Sequence, residues 1–281
     1  MRSRAVVSRP ALRDDRHPAA QTASTEAIIA FRDVAVAFGG DIIYERLSFD
    51  VRKGEFVCIL GPSGCGKSTS LRVIAGLLQA SGGEVTVDGR TPQEAWPEIA
   101  FVFQSPRLVP WRTALGNVLL ASELRFGRGT GKGDRAARRA RAMELLTLVG
   151  LANDARKYPA MLSGGERQRV SIARALAVDP QIVLMDEPFS ALDPNTRVRL
   201  RGEMEQIWQR TGKTVVFVTH DVDEALQLAD RIVLLSNKPT RVIEVLQVDA
   251  RRPRAPADAA SGVQRARLME LFRSLEQGSG S

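Results

Sequence analysis

Between residues 34 and 51 apolar positions recur with a period of two. Val34, Val36 and Phe38 mark one stretch, and Leu47, Phe49 and Val51 stand against Ser48, Asp50 and Arg52 in the next. Val85 and Val87 against Thr86 and Asp88 repeat the pattern. Strands with one dry and one wet face belong to an antiparallel sheet. Residues 55–60 differ, being a short and mostly apolar run that opens directly into glycines. That pattern predicts a strand buried on both faces, as in a parallel sheet. Similar runs follow at 181–185, 214–218 and 231–235, with helical patterns between them at 194–210 and 222–229. Alternating strand and helix implies a parallel sheet covered on both sides.

The middle of the chain, about 105–161, changes character. Pro106 and Pro110 break it first, then Gly127, Gly129, Gly131 and Gly133. A helix is expected at 134–149, with Met143, Leu146 and Val149 on one face. We read this segment as a helical subdomain inserted into an α/β core. Near the end, 263–276 predicts an amphipathic helix carrying Leu268, Leu271 and Leu275 on one stripe. Residues 1–26 are rich in Arg, Ala, Pro and Ser without periodicity, the composition of a disordered basic tail. No internal repeat is visible.

At 281 residues the chain can bury a sizeable core. No apolar run reaches the roughly 18 residues of a membrane-spanning helix. The N-terminus carries Arg2, Arg4, Arg9, Arg13 and Arg16 without the apolar stretch of a signal peptide, so a cytoplasmic location is expected. Cys58 and Cys65 suggest no disulfide framework, and His17 and His220 give no zinc-like spacing. The net charge of +8 is concentrated in the tail, in 125–141 and in 251–273. None of these stretches interleaves aromatics for stacking bases, so a solvated face or attraction to anionic lipid headgroups explains them better than nucleic acid.

Candidate chemistry begins at Gly61-Pro62-Ser63-Gly64-Cys65-Gly66-Lys67-Ser68, a complete phosphate-binding loop between a strand and a helix. Its glycines let backbone N–H groups curl around phosphate oxygens, and the helix starting at Lys67 adds its positive end. Lys67 is expected to reach the β- and γ-phosphates, Ser68 to ligate Mg²⁺, and Thr69 to support the phosphate contacts. The Cys65 thiol is expected near the phosphates, as a small residue fitting a tight loop rather than a redox group, with alkylation blocking the nucleotide. The buried run at 181–185 ends in Asp186 and Glu187. Asp186 suits Mg²⁺, directly or through water, and Glu187 suits a general base or a group polarising the attacking water. His220 ends the next apolar strand, beside these acids, and is read as a γ-phosphate contact.

Taken alone, Ser163-Gly164-Gly165 before a helix reads as a cap and a generic anion site. In order, however, the chain holds the phosphate loop, Gln104, the phrase Leu162-Ser163-Gly164-Gly165-Glu166-Arg167-Gln168, Asp186-Glu187, Ser190-Ala191-Leu192-Asp193 and His220. Across about 28–246 this resembles the ATP-binding cassette (ABC) ATPases. The resemblance implies an ABC-type P-loop NTPase fold: a parallel core sheet, an antiparallel β subdomain and an inserted helical subdomain. It divides the chain into the tail, an ATPase domain at 27–250, and a C-terminal extension at 251–281. It also implies a head-to-tail homodimer, each copy holding ATP between its own phosphate loop and the partner's signature, with Ser163, Gly164, Gly165 and Glu166 as the contacts. Gln104 then touches Mg²⁺ and the attacking water, and Asp193 connects the two sites. Phe38 lies where the family often has an adenine-stacking tyrosine; stacking and core packing both remain open there.

After Gln104 comes Ser105-Pro106-Arg107-Leu108-Val109-Pro110-Trp111-Arg112, a run similar to that of nitrate, sulfonate and taurine importers. This implies a subunit at the cytoplasmic face of the plasma membrane that drives import of a small anionic solute. A separate permease and an extracytoplasmic solute-binding protein are its implied partners. The alternative is a soluble ABC ATPase acting on ribosomes or DNA. It is disfavoured because the segment between Lys67 and Asp186 holds no sustained heptads. A GTP switch is also considered, from Asn237-Lys238-Pro239-Thr240, but Thr240 replaces the acid needed to read guanine.

Overall fold

The computed structural model describes residues 26–127, 132–254 and 259–277. The expected tail, apart from Glu26, and His17 within it lie outside these residues. The period-two segments form β1 (Ala27–Phe38) and β2 (Asp41–Arg52), and both are antiparallel neighbours in a three-stranded sheet with β4 (Gly82–Val87). Its order is β2-β1-β4. The first buried run is β3 (Phe56–Leu60), which leads through the glycine loop into α1 (Lys67–Ile74). After β4 come the short α2 (Pro92–Ala95) and β5 (Ile99–Val102). Helices α3 (Ala114–Phe126), α4 (Lys132–Leu148) and α5 (Gly164–Leu176) fill the middle. The core then resumes with β6 (Ile182–Asp186), α6 (Pro194–Thr211), β7 (Thr214–Thr219), α7 (Val222–Leu228) and β8 (Arg231–Leu235). An edge strand, β9 (Val242–Gln247), and a last helix, α8 (Ala259–Gln277), complete the described chain.

The main sheet runs β5-β6-β7-β3-β8-β9. Its strands are parallel except β9, which pairs antiparallel to β8. All five side chains of β3 are buried, because the sheet is covered on both sides. Phe56, Cys58 and Leu60 face the helices, and Val57 and Ile59 face α1 and the three-stranded sheet. Phe217 and Val218 divide the same way on β7. The ends of β3, β6 and β7 therefore open side by side at the carboxyl edge, where open α/β sheets bind ligands.

In the middle segment α5 packs against both α3 and α4, so the signature helix completes the helical layer. Buried Asn117 on α3 pins the loop after Gln104. It accepts from Val109 N at 2.8 Å and donates to the carbonyls of Val109, Arg112 and Thr113. Arg174 on α5 holds the same loop through the carbonyls of Arg107 and Pro106. At the other end of the chain, α8 lies on α7. Leu268 and Phe272 are buried, and Arg265 pairs with Asp223 at 2.5 Å.

Three local expectations need revision. The alternation of β1 slips at Asp33, whose φ of 48° accompanies a register shift between Phe31 and Val34. Val34 and Val36 nonetheless keep the dry face, and Phe38, past a further register shift between Val36 and Ala37, lies 45% exposed. Strands β5 and β9 were not predicted, since one is four residues long and the other is an edge strand with exposed Ile243 and Val245. The last helix has Phe272 as a buried anchor beyond the predicted leucine stripe.

Candidate functional site

The phosphate loop leaves β3 at Gly61 and closes at Gly66, the N-cap of α1, with φ 106°. A Cβ at Gly66 would meet Ile43 Cγ2 at 2.6 Å, so both conformation and space demand glycine. The free N–H groups of the first helical turn therefore face the loop's concavity, as phosphate binding requires. Lys67 is buried, and its Nζ donates to Gly61 O at 2.9 Å and Pro62 O at 2.8 Å. The same Nζ stands 3.8 Å from Glu187 Oε1.

Ser68 Oγ donates to Asp186 Oδ1 at 2.6 Å, joining the loop to the end of β6. Burial pushes the Asp186 carboxyl up from its ordinary range; the Ser68 bond opposes this, and neighbouring Glu187 adds to it. A cation beside these two oxygens would relieve that desolvation. The next residue, Glu187, takes φ 41°, an uncommon conformation for a side chain-bearing residue and a cost of about 1–3 kcal/mol. It is held there by Glu187 N donating to Val218 O at 3.0 Å and by Ser190 Oγ donating to Glu187 O at 3.0 Å. The Glu187 carboxylate thereby reaches His220, with Oε2 3.1 Å from Nδ1. Gln104 joins from the β5 side, its Nε2 donating to Ser190 Oγ at 3.0 Å.

Lys67, Ser68, Gln104, Asp186, Glu187 and His220 thus come together from four strand ends, as their sequence positions suggested. Two supports were not foreseen. Ser190 bridges Gln104 to the Glu187 backbone, and its place at the head of the Ser-Ala-Leu-Asp phrase was the available signal. Behind His220, Arg201 bonds Asp221 at 2.6 Å and Glu224 at 3.3 Å, while Thr219 Oγ1 donates to Glu224 at 2.6 Å. Burial raises the Glu224 carboxyl, and the Thr219 and Arg201 bonds resist that shift. This buried network, spread over α6, β7 and α7, has no local sequence pattern.

The signature forms a separate patch. Ser163 caps α5 in a reciprocal capping box: Glu166 N donates to Ser163 Oγ at 3.2 Å, and Ser163 N to Glu166 Oε2 at 2.7 Å. The bond from the Ser163 backbone holds the Glu166 carboxyl below its ordinary range. A Cβ on Gly165 would lie 2.7 Å from Thr196 Cγ2, so glycine lets α5 start against the first turn of α6. Asp193 caps that turn, accepting from Thr196 N at 3.0 Å. Among the described residues, no hydrogen bond or ion pair joins Ser163, Gly164, Gly165 or Glu166 to the group around Lys67.

Two expectations change at this level. Cys65 is 1% exposed and packs in the core with Ile43 and Tyr44, so its thiol points into the protein rather than toward the loop's mouth. Burial also raises the thiol, which suppresses the thiolate that alkylation needs. Only the backbone of Cys65 belongs to the cradle. Phe38 is the opposite case, since an exposed ring at the end of β1 is not core packing.

A family model described as ABC transporter matches residues 44–190. A Brucella abortus protein whose name says only that it binds ATP is 44% identical over 229 residues, covering 82% of this chain and 86% of the relative. An aliphatic sulfonates import ATP-binding protein of Burkholderia cenocepacia is 44% identical over 236 residues, covering 84% of each chain. Among solved structures, a dimeric ATP-binding cassette in a post-hydrolysis state with ADP and Pi superimposes with a TM-score of 0.67 at 34% identity. That match covers 79% of this chain and all of the other. With the loop, the acidic pair and the capped signature each in place, the chain belongs to the ABC transporter family and is an ATPase of the ABC type.

Proposed function

We propose that this protein is the ATP-hydrolysing subunit that energises import of a small anionic solute, of the nitrate, sulfonate or taurine kind, through a separate membrane permease. The observation that carries the catalytic half is the convergence of Lys67, Asp186, Glu187 and His220 at one sheet edge. The transport half rests on the sulfonate-import relative and on the Pro-Arg-Leu-x-Pro-Trp run, whose Trp111 is 78% exposed. No helix among the described residues is long and apolar enough to cross a membrane, so the pore is assigned to another chain.

In this reading the backbone from Gly61 to Thr69, including Pro62, Ser63 and Gly64, cradles the phosphates, and Lys67 Nζ neutralises the β- and γ-phosphates. Phe38 stacks on adenine. Ser68 Oγ and Asp186 Oδ1 are hard oxygen donors already 2.6 Å apart, a pair that fits Mg²⁺. Ser68 and Asp186 would hold the ion, which would supply positive charge to offset that of the phosphates. Glu187 accepts the proton of the attacking water, His220 orients Glu187 and meets the γ-phosphate, and Gln104 lies beside the water and the metal.

The lack of any bond, among the described residues, between the signature and the Lys67 group supports a role for the signature on a second copy's nucleotide. In a head-to-tail homodimer, Ser163, Gly164, Gly165 and Glu166 of one protomer close the other's ATP, and Asp193 links the two sites. ATP binds the closed pair better than the open one, and hydrolysis releases it. Ser163→Arg places a long cation where the partner's ATP docks. It is expected to lower ATP-stimulated pairing and turnover at least about tenfold while leaving monomer ATP affinity within about twofold. Gel filtration with ATP and titration of the monomer check this; lost monomer affinity would mean that the signature supports its own site.

The functional test is mass spectrometry of proteins co-purifying with Glu187→Gln from gently solubilised membranes in the presence of ATP. A stoichiometric multi-spanning protein supports the transporter subunit at the cytoplasmic face. Its associated solute-binding protein can then be screened against nitrate, sulfonates and taurine. Ribosomal or chromosomal partners without a membrane protein would overturn the transport reading.

A further inference from the structure

The turn between β8 and β9 contains Asn237-Lys238-Pro239-Thr240, and neither the catalytic group nor the signature uses it. Thr240 is 2% exposed, and its Oγ1 donates to the carbonyl of Cys65 in the phosphate loop. Tyr44 on β2 is 1% exposed, and its hydroxyl donates to the next carbonyl, that of Gly66. These two residues also hold one another. Thr240 N donates to Ile43 O at 2.8 Å, and Tyr44 and Thr240 form a parallel bridge. A residue of the three-stranded sheet and a residue of the β8–β9 turn therefore meet on two consecutive peptide units of the loop.

The consequence follows from peptide geometry. In a planar trans peptide the C=O of one residue and the N–H of the next point in opposite directions. Fixing the Cys65 carbonyl outward aims the Gly66 N–H inward, and fixing the Gly66 carbonyl outward aims the Lys67 N–H inward. Those N–H groups line the start of α1, where the phosphates are to be bound. Ser70 N also donates to the Gly66 carbonyl at 3.1 Å in the first turn of α1, and the two hydroxyls reinforce this hold on a glycine-rich segment. Gly64 at φ 77° and Gly66 at φ 106° have no side chain to restrict rotation of the adjoining peptides. The Tyr44 ring fills the space that a Cβ on Gly66 would need, with Cε1 2.9 Å from that position. The turn is itself braced: Arg241 N donates to Ser236 Oγ at 3.0 Å, and Asn237 Nδ2 to Leu275 O on α8 at 2.5 Å.

We propose that Tyr44 and Thr240 are positioning residues for ATP binding, acting as a two-hydroxyl clamp that aims the Gly66 and Lys67 N–H groups at the phosphates. The proposal rests on the loop being the ATP site and adds the device that preorganises it. Neither hydroxyl touches the nucleotide. Their removal raises the cost of ordering the loop, so affinity falls while the bound complex reacts as before. Because both hydroxyls serve one segment, their effects are coupled rather than additive.

The experiment uses the full chain and four variants: Tyr44→Phe, Thr240→Val, the double variant, and Thr240→Ser. ATP affinity is measured by titration, KM and kcat by phosphate release, and Tm without nucleotide by calorimetry. Tyr44→Phe and Thr240→Val are each expected to raise Kd and KM about 2- to 12-fold, the change expected for one lost hydrogen bond. Saturated kcat stays within about twofold, Thr240→Ser restores most of the affinity, and the double variant falls short of the product of the singles. Wild-type affinity in both single variants, or affinity in Thr240→Ser as poor as in Thr240→Val, overturns the clamp. A lowered Tm with unchanged Kd likewise assigns both hydroxyls to folding alone. Should Tyr44→Phe not fold, the Val and Ser variants at Thr240 decide the matter. Lys67→Ala is the control: if it also binds ATP normally, the loop assignment fails rather than the clamp.

Discussion

Glu187→Gln is expected to lower kcat for ATP hydrolysis by about 10²- to 10³-fold, the scale of a lost general base. ATP affinity should stay within about threefold. The amide keeps the size of the carboxylate and one oxygen acceptor, so the neighbours at 3.1 Å (His220 Nδ1) and 3.8 Å (Lys67 Nζ) retain a polar partner. What it loses is the ability to take a proton. The backbone at φ 41° is set by the bonds from Glu187 N and to Glu187 O, which the substitution does not touch. Binding and chemistry should therefore separate cleanly. ATP should be retained unhydrolysed and the ATP-bound dimer should accumulate, visible as a shifted gel-filtration peak. Phosphate release at the wild-type rate would remove Glu187 from catalysis and move attention to His220 and Gln104.

The same residues show what a one-dimensional reading can reach. Chemistry carried by short contiguous phrases was legible, because a loop that wraps phosphate needs several glycines within one short stretch and a buried strand ending in acids is unusual on any pattern. The meeting of Lys67 with Glu187 was also inferable, since β3 and β6 are parallel runs that end at the same edge of one sheet. What escaped was side-chain direction inside those phrases. Cys65 reads as part of the cradle, yet the loop's curl turns its side chain into the core beside Ile43 and Tyr44. Phe38 reads as the third apolar position of a strand whose first two, Val34 and Val36, are buried, yet a register shift between Val36 and Ala37 precedes it and its ring is exposed. Contacts between segments distant in sequence were invisible for another reason. Tyr44 and Thr240 each look like ordinary strand or turn residues until the two sheets bring them to the same loop. Arg201, Asp221 and Glu224 likewise become a buried network only once α6 packs against α7.

The second large effect is expected at Lys67. Its Nζ sits at 4% residue exposure among three oxygens, two loop carbonyls and a carboxylate. Lys67→Ala removes the cation proposed to meet the β- and γ-phosphates and should weaken ATP binding by about 10²-fold or more. That loss follows from a charge-assisted bond made in a site shielded from water. A second consequence is independent of nucleotide. The carbonyls of Gly61 and Pro62 lose their shared donor, at a cost of about 1–3 kcal/mol for each that stays buried and unsatisfied, so Tm should fall without ATP. Lys67→Arg separates the two effects. The guanidinium keeps the charge and can serve the carbonyls, but its planar fork is too wide for a pocket shaped around a slim ammonium. The Arg variant should therefore recover much of the Tm while remaining at least about tenfold weaker for ATP. Calorimetric titration with ATP and thermal unfolding of both variants give the two readings. Unchanged affinity in Lys67→Ala would sink the loop as the phosphate site. Full recovery of affinity by Arg would show that charge alone, rather than the fit of the ammonium inside the loop, governs binding.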